Sequence, residues 1–411
     1  MKKLNVFFHR TSEDKFIVGQ LAQEKNAVFF EYHPEFLANP YYLSPFKLSP
    51  EKKFHEHKDT DFGPIFGLFD DSLPDGWGLL LMDRFLANKG IIVSEISVID
   101  RLAFLGSSTM GALTYEPPFA KHVDKESVFD IGLLARHSRR ILKGETDIVI
   151  PQLINAGGSP GGARPKVLAG VYKDHIISGE NDLPEGYEHW IIKFCSKDDM
   201  LDSGLVEYAY SLMAKAAEIE MTETRIFETQ TDQFFGIKRF DRKENKRFHI
   251  HTFGNLIHAN FRIPSCDYDQ FLKVIKILTG NHQDVIRGFT QMIFNVLANN
   301  RDDHVKNFAF IMADNGEWRL SPAYDLTFSP GPGGEHSMTI LNEGKSPKKK
   351  HIQEIGKRAG LNTNEINQSI HKVLNAVQQW PAFAESANVR QKRKKEIHSF
   401  ISHNIKTFLD K

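Results

Sequence analysis

The stretch "NNRDDHVKNFAF", residues 299–310, crowds two aspartates, a histidine, a lysine and three asparagines ahead of an abruptly apolar run. Before it, Val285, Ile286, Phe289, Met292, Ile293, Val296 and Leu297 recur at helical spacing, which predicts a buried helix over 283–298. After it, "FAFIM" (308–312) reads as a strand and "EWRL" (317–320) as its partner. Between them, "ADNG" carries Asn315-Gly316, the pair favoured in two-residue hairpin turns. Such a turn sets Asn307 opposite Tyr324, one position from Asp325, and brings Asn307 and Asp325 to the open end of the hairpin. Asp302 lies just upstream, in the loop delivered by the buried helix. Two carboxylates and one amide thus converge at the rim of a packed element. Hard oxygen donors of this kind suit Mg²⁺ held jointly with substrate phosphates. Taken singly, Asn307 caps a hairpin and Asp325 begins a turn; the set together points to chemistry. His304 serves equally well as a structural hydrogen-bonder or as a participant. A zinc reading lacks a second histidine at ligand spacing.

The chain has 411 residues. That exceeds one ordinary core and predicts two or three sub-domains sharing a cleft. Lys and Arg number 52, as do Asp and Glu, so no global field recruits nucleic acid or a membrane. A hydrophobic content of 41% suits a globular protein with a real core. The two cysteines, Cys195 and Cys266, are too few for a zinc site or a disulfide framework and fit a reducing compartment. The opening "MKKLNVFFHRTSEDKF" has a short apolar run broken by His9 and Arg10, a strand rather than a signal peptide. No run approaches the length of a membrane span. The expectation is a cytoplasmic protein with no membrane partner.

Residues 1–60 read as short antiparallel strands: "KLNVFF", "FIVGQL" and "AVFFEY". "FGLFDDSLPDGWGLLLMDRFLANKG" reads as a loop feeding a helix whose buried face is Leu79, Leu80, Met82 and Phe85. "SEISVIDRLAFLG" continues helical, and 110–118 reads as a strand. Residues 126–150 read as an amphipathic helix. "VLAGVY", "HWIIKF" and "QFFGIKRFDR" read as strands, the last with a charged exit. Residues 202–219 form a helix with Leu205, Ala209, Leu212, Met213 and Ala216 on one face. From about 267 onward the chain reads as largely helical apart from a hairpin at 308–322.

"NAGGSPGGARPK" (155–166) is the most glycine-rich stretch. It is neither a Walker A loop nor a G-x-G-x-x-G fingerprint. Glycine-rich loops are often plain turns. Here Gly157, Gly158, Gly161 and Gly162, with Ser159, Arg164 and Lys166, make a donor-rich segment whose backbone amides could cover phosphates. Lys193 stands in the otherwise apolar strand "HWIIKF". It either points to solvent at an edge or serves an anion in a cleft. Glu207, early in the next helix, could pair with Lys193 and turn it toward a nucleotide's α- and β-phosphates; a plain surface salt bridge is the other reading.

These residues resemble the HipA family, the serine/threonine kinases of bacterial toxin–antitoxin systems. The resemblance covers nearly the whole chain. It rests on "LPDGWGLLLMDR" (73–84), "GGSPGGARPK" (157–166), "IIKF" (191–194), "KRFDR" (238–242), "NRDDHVKNFAF" (300–310) and "SPAYDLTF" (321–328). It implies an α+β, bilobal, protein-kinase-like fold with an N-terminal antiparallel β sub-domain and a mainly helical C-terminal lobe. The expected divisions are 1–120, 121–241 with the glycine-rich loop, and 242–411 with the catalytic loop and the metal-binding hairpin. By resemblance, Asp302 is the catalytic base, Asn307 and Asp325 are Mg²⁺ ligands, and Lys193 is the phosphate-binding lysine. Lys238 and Phe240 occupy the hinge where backbone groups meet adenine. Ser159 matches the loop serine whose autophosphorylation silences the kinase, although Pro160 stiffens this loop.

The reaction so implied moves the γ-phosphoryl of ATP to a Ser or Thr hydroxyl, mostly by positioning and charge neutralisation. The acceptor implied is a cellular protein; in relatives it tends to be an aminoacyl-tRNA synthetase. The implied partner is a small helix-turn-helix, HipB-like antitoxin, with DNA reached only through it. A rival reading is a non-catalytic, DNA-associated co-repressor subunit. The basic clusters "KSPKKKH" (345–351) and "RQKRKKEIH" (390–398) fit that, but such runs are usually solvated faces. A small-molecule kinase would use the same chemistry.

Overall fold

The computed structural model describes residues 1–118, 129–145, 153, 161–179, 182–195 and 202–410. The chain forms two compact units, each assembled from separated pieces. The first takes Met1–Met200, Phe227–His251 and Asn255–His258; the second takes Leu201–Ile226, Thr252–Gly254 and Ala259–Lys411.

Two antiparallel sheets build the first unit. Successive side chains leave a strand on opposite faces, so β1 (Lys2–His9) turns Leu4, Val6 and Phe8 inward. With β2 (Lys15–Glu24), β3 (Ala27–Tyr32), β4 (Phe54–Glu56) and β5 (Leu113–Glu116) it forms a sheet of order β4-β3-β2-β1-β5. A bulge at Val6/Phe7 shifts the β1–β2 register. Beside this sheet, Ser44 Oγ lies 3.0 Å from His251 Nε2, and His251 Nδ1 lies 2.5 Å from Asp71 Oδ2. The order of atoms is that of a serine–histidine–aspartate triad. Ser44 and His251 are fully buried, however, so the chain of bonds acts as a cross-link between distant segments. Asn255 Nδ2 extends it by donating to Asp70 at 3.0 Å and Asp71 at 2.7 Å.

The second sheet contains β6 (Lys166–Tyr172), β7 (His175–Ser178), β8 (Glu188–Lys193), β9 (Thr224–Glu228) and β10 (Gln233–Lys238), in the order β7-β6-β8-β10-β9. Helices Gly76–Asn88 and Ile131–Leu142 pack on it. Trp77, Leu81, Leu134 and Ile141 meet Val167, Ala169, Trp190 and Ile192 in one core. The leucines, isoleucines and valine among them contribute about 1.5–3 kcal/mol each on full burial. The Ile131–Leu142 helix starts where Asp130 accepts from the Leu133 N–H at 3.0 Å. It is the described part of the amphipathic stretch read over 126–150. The Gly76–Asn88 helix buries Trp77, Leu81, Met82 and Leu86, while Leu79, Leu80 and Phe85 are half-buried. The expected face was therefore rotated, because Trp77 takes the deepest position and sets the helix phase.

Helices dominate the second unit: Ser203–Ala216, Tyr268–Thr279, His282–Leu297, Lys349–Ala359, Thr363–Gln378, Trp380–Ser386 and Gln391–Leu409. Local chemistry marks their ends. Asn281 caps the third by accepting from Asp284 N at 3.2 Å. Gly280 and Gly360 close their helices at φ +58° and +92°, which glycine adopts without a Cβ penalty. Asn362 and Glu365 exchange the two bonds of a capping box, at 3.0 and 2.8 Å. Helix His282–Leu297 is buried along its whole second half, as the spacing around 283–298 predicted. The Ser203–Ala216 helix buries Val206, Glu207, Ala209, Tyr210, Met213 and Ala214. Leu205 and Leu212 lie at its flank and Ala216 is exposed, a correction that follows from Tyr210, whose hydroxyl donates to Ala298 O at 2.5 Å. The expectation of a largely helical chain after the hairpin holds from Lys349 onward; between Leu320 and Lys349 only the single turn Pro332–Gly334 is helical.

The hairpin itself pairs Ala309–Met312 with Trp318–Leu320, matching Phe310 to Leu320, Ile311 to Arg319 and Met312 to Trp318. That is one residue off the register expected from a two-residue turn. The Ala313 N–H donates to Glu317 O at 2.8 Å and the Gly316 N–H to Ala313 O at 2.9 Å. Only Gly316 in this loop is left-handed, at φ +83°. A two-residue turn of the mirror-image type needs that conformation at both central residues, so the loop takes three residues. The expected pairing of Asn307 with Tyr324 does not form, because Asn307 ends the single helical turn Val305–Asn307 ahead of the strand.

Candidate active site

The candidate residues fall in both units. In the second, the loop after helix His282–Leu297 opens on Asn299, left-handed at φ +56°. Its Nδ2 donates to Ser329 O at 3.0 Å, and its Oδ1 accepts from Asn404 at 3.1 Å. Asn300 donates to Asn295 Oδ1 at 3.0 Å, and Asn295 donates to Tyr268 Oη at 2.9 Å. The next two aspartates part company. Asp302 is exposed. Asp303 is 1% exposed and accepts from the Tyr268 hydroxyl at 2.7 Å, His336 Nδ1 at 2.8 Å and the Ser337 N–H at 2.8 Å. Burial pushes the Tyr268 phenol well above its ordinary pKa, and the Asp303 carboxylate adds to it. Ser337 also ties back to Arg301 O through its hydroxyl at 3.0 Å. Asp302 therefore projects from a loop whose neighbours are fixed on both sides.

Asn307 Nδ2 donates to the Asp302 carbonyl at 2.7 Å, which leaves Oδ1 as the acceptor end of that amide. The Tyr324 hydroxyl donates to Lys306 O at 2.8 Å, so the segment before Asp325 is bound to the turn before Asn307. Asp325 itself is left-handed at φ +53°, a conformation that Asp tolerates better than most residues but that the surroundings must impose. Among the described residues, no three His, Cys, Asp or Glu side chains gather in a metal-binding cluster. The oxygen donors here are few and hard, which fits a cation completed by phosphates and water. His304 Nε2 lies 4.0 Å from Asp302 Oδ1. Phe261 packs on His304 at 5.6 Å between ring centroids and carries Arg262 at 4.4 Å and Lys306 at 4.9 Å over its face. Glu207 is buried in the helix Ser203–Ala216.

In the first unit, Lys166 and Lys193 are direct cross-strand partners on β6 and β8. Opposed residues of an antiparallel pair share a face, and like charges there are destabilising. Lys193 Nζ also stands 5.6 Å over the Phe235 ring. Lys166 is 5% exposed and donates to Gly161 O. Gly162, at φ +100°, donates its N–H to the Asp75 carboxylate, and its carbonyl accepts from the Trp77 N–H at 3.1 Å. A Cβ on Gly162 would meet Lys166 Nζ at 2.5 Å. Gly157, Gly158 and Ser159 lie outside the described residues. Lys238 pairs with Glu188 through its side chain and faces Trp190 in the sheet; Phe240 is half-buried.

The charged exit of β10 is a buried network. Asp241 accepts from Arg239 at 2.8 and 2.9 Å, from Arg242 at 2.7 Å and from the Gly111 N–H at 2.8 Å. Burial alone would raise the Asp241 carboxyl, but the Arg239 and Arg242 guanidiniums outweigh it and hold it well below the usual carboxylate range. Arg242 and Arg247 both donate to Gly111 O at 3.0 Å. Asp303, Phe261 and this network are the residues sequence reasoning did not single out. The adjacency of Asp303 to Asp302 was the one available signal.

Two family descriptions match the chain: "HipA N-terminal domain" over residues 10–116 and "HipA-like C-terminal domain" over residues 158–380. Two curated proteins bear the name "Putative kinase". One, Y4dM of Sinorhizobium fredii, is 28% identical over 153 residues, 33% of this chain and 36% of its own. The other, of Haemophilus influenzae, is 28% identical over 165 residues, 33% of this chain and 48% of its own. The chain thus spans less than half of either relative. Among solved structures, the HipA toxin–antitoxin complex of Shewanella oneidensis with HipB and operator DNA matches 99% of this chain and 96% of its own. The TM-score is 0.68 and the identity 15%, a likeness of fold. With the C-terminal match covering more than half of its length, the chain belongs to the HipA family.

Proposed function

We propose that the chain is an ATP-dependent serine/threonine protein kinase. One observation carries the reading: exposed Asp302 projects from a loop anchored through buried Asp303, with Asn307 bonded to its carbonyl. That arrangement presents a carboxylate at the surface while its backbone is held still, as positioning catalysis requires. Asp302 accepts the proton of the attacking Ser or Thr hydroxyl. Asn307 Oδ1 and the Asp325 carboxylate hold Mg²⁺, which supplies charge neutralisation at the phosphate oxygens. Lys193 and Lys166 take the inner phosphates, and their like-charge pairing is relieved when an anion binds. The backbone of Gly157, Gly158, Gly161 and Gly162 covers the phosphates, and the backbone around Lys238 and Phe240 receives adenine.

The family resemblance extends the reading. The acceptor is a cellular protein, an aminoacyl-tRNA synthetase in the family pattern, and the chain acts as a growth-inhibiting toxin. Ser159 is the autophosphorylation site. A HipB-like antitoxin binds the chain and alone contacts DNA, in keeping with the solved Shewanella relative, which was captured together with HipB and operator DNA. Among the described residues, no helix is long and apolar enough to cross a membrane; we place the protein in the cytoplasm.

Intact mass after incubation with Mg-ATP tests the core of this. One phosphoryl group should appear on the wild type and be absent from Asp302→Ala and Ser159→Ala. Retention in Asp302→Ala would remove that residue from catalysis. Retention in Ser159→Ala alone would move the regulatory site. Absence from every form, with no transfer to any protein of a cell extract, would overturn the kinase reading.

A further inference from the structure

Within the second unit, a cleft with about 170 Å³ of open room is bounded by helices His282–Leu297 and Thr363–Gln378, the end of helix Ser203–Ala216, and residues 320–323. Its charged groups are already matched. Lys372 donates to Glu218 at 2.6 Å, Arg287 pairs with Glu220 at 2.8 Å, and His282 meets Glu365 at 2.8 Å. Arg287 is further used by Asp284 at 2.7 Å and by the Leu320 and Ser321 carbonyls at 3.0 and 3.2 Å. The cleft therefore offers no unmatched charge to an ion. What it offers is amide. Gln291 lines it, is 5% exposed, and makes no hydrogen bond among the described residues. Gln283 and Gln368 stand exposed on the same lining, likewise without such bonds. Ile219, Ile286 and Leu320 supply the apolar surface.

Gln291 spends its amide on no hydrogen bond within the described residues while lining the cleft, so its donor and acceptor are available side by side to whatever fills it. A glutamine amide presents that pair in one plane and matches a ligand edge carrying the complement. We propose that this cleft binds an uncharged, planar molecule with an amide-type donor–acceptor edge, the chemistry of a nucleobase. The site lies apart from the residues assigned to ATP, and goes beyond the kinase reading. It also touches the metal-ligand segment: the Ala323 N–H donates to Glu220 O at 2.8 Å across the cleft's rim, two residues before Asp325. Occupancy thus bears on the backbone that sets Asp325.

Calorimetric titration of the full chain with adenosine, guanosine, cytidine and uridine is the test, with and without saturating Mg-ATP. At least one nucleoside should bind at one per chain, and Mg-ATP should not displace it. Binding should weaken by about tenfold or more in Gln291→Leu and persist in Lys193→Ala. Gln368→Leu, at an exposed position, should show a smaller loss in the same direction and decides the matter if Gln291→Leu does not fold. Absence of binding by all four nucleosides would overturn the proposal. So would binding that Mg-ATP displaces, or that both glutamine variants keep in full. Failure of the kinase reading would leave this result untouched, since no turnover enters the measurement.

Discussion

Two neighbouring aspartates should separate stability from activity. Asp303 accepts three hydrogen bonds, from Tyr268, His336 and Ser337, while 1% exposed. Hydrogen bonds to a charged acceptor contribute about 1.5–3 kcal/mol each, but members of one network do not add. Removing a partner from a buried charged cluster costs about 3–5 kcal/mol, the figure we adopt for Asp303→Ala. For a unit of roughly 150–250 residues, each kcal/mol moves the melting point by about 2–4 °C. The second unit should then melt about 6–20 °C lower. Asp302 is exposed, and the His304 ring stands 4.0 Å from its carboxylate. Contacts made at an exposed carboxylate contribute little to folding. Asp302→Ala should leave stability within about 0.5 kcal/mol while abolishing phosphoryl transfer. Differential scanning calorimetry of both variants at neutral pH, beside the same transfer assay, checks the contrast. Equal melting points for Asp303→Ala and wild type, or a matching loss in Asp302→Ala, would refute the reasoning that one residue holds the loop and the other uses it.

Acid should weaken the first unit. Burial, aided by Arg239 and by His251 respectively, lowers His189 and His249 to about 4. Their folded forms stay neutral where unfolded ones, near 6.5, take up protons. The stability is therefore whole above pH 6.5 and falls as pH drops toward 4, by about 2 kcal/mol per histidine at pH 5; urea midpoints at pH 7 and pH 5 measure it. Lys193→Met removes the cation assigned to the inner phosphates and should raise the KM for ATP, which steady-state kinetics measures. Phe261→Ala removes the ring that holds His304, Arg262 and Lys306. It should lower kcat about tenfold, in line with lost positioning, at unchanged KM for ATP; a change in ATP affinity alone would place Phe261 elsewhere in the reaction.

The parts legible in the sequence were those fixed locally. Helix His282–Leu297 followed from spacing, and β1, β2, β3, β5, β6, β8 and β10 followed from short β-rich runs, whereas β4, β7 and β9 were not legible. The hairpin was legible as a hairpin but not in register, because Asn315-Gly316 serves two turn types and only the conformation of Asn315 distinguishes them. Helix phase was missed where one large residue dominates, at Trp77 and Tyr210. Asp302 and Asp303 are chemically identical, and what buries one comes from Tyr268 and His336, 35 and 33 residues away. Arg239, Asp241 and Arg242 read only as the charged exit of a strand; their burial depends on a partner at Gly111. Long-range partners of this kind leave no periodicity to read.

The first unit is discontinuous: it needs Phe227–His251 and Asn255–His258 as well as the residues before Met200. A nascent chain halted near Met200 has β8 but no β10 beside it, and Ser44 without the imidazole of His251. Ribosomes add roughly 5–20 residues each second, so the early half spends some seconds with an open sheet edge and a buried-to-be Asp71 still wet. Folding of the amino-terminal half thus waits on translation well beyond the middle of the message. A pause or a premature stop in that interval should release a species prone to strand-edge association rather than a half-sized folded protein.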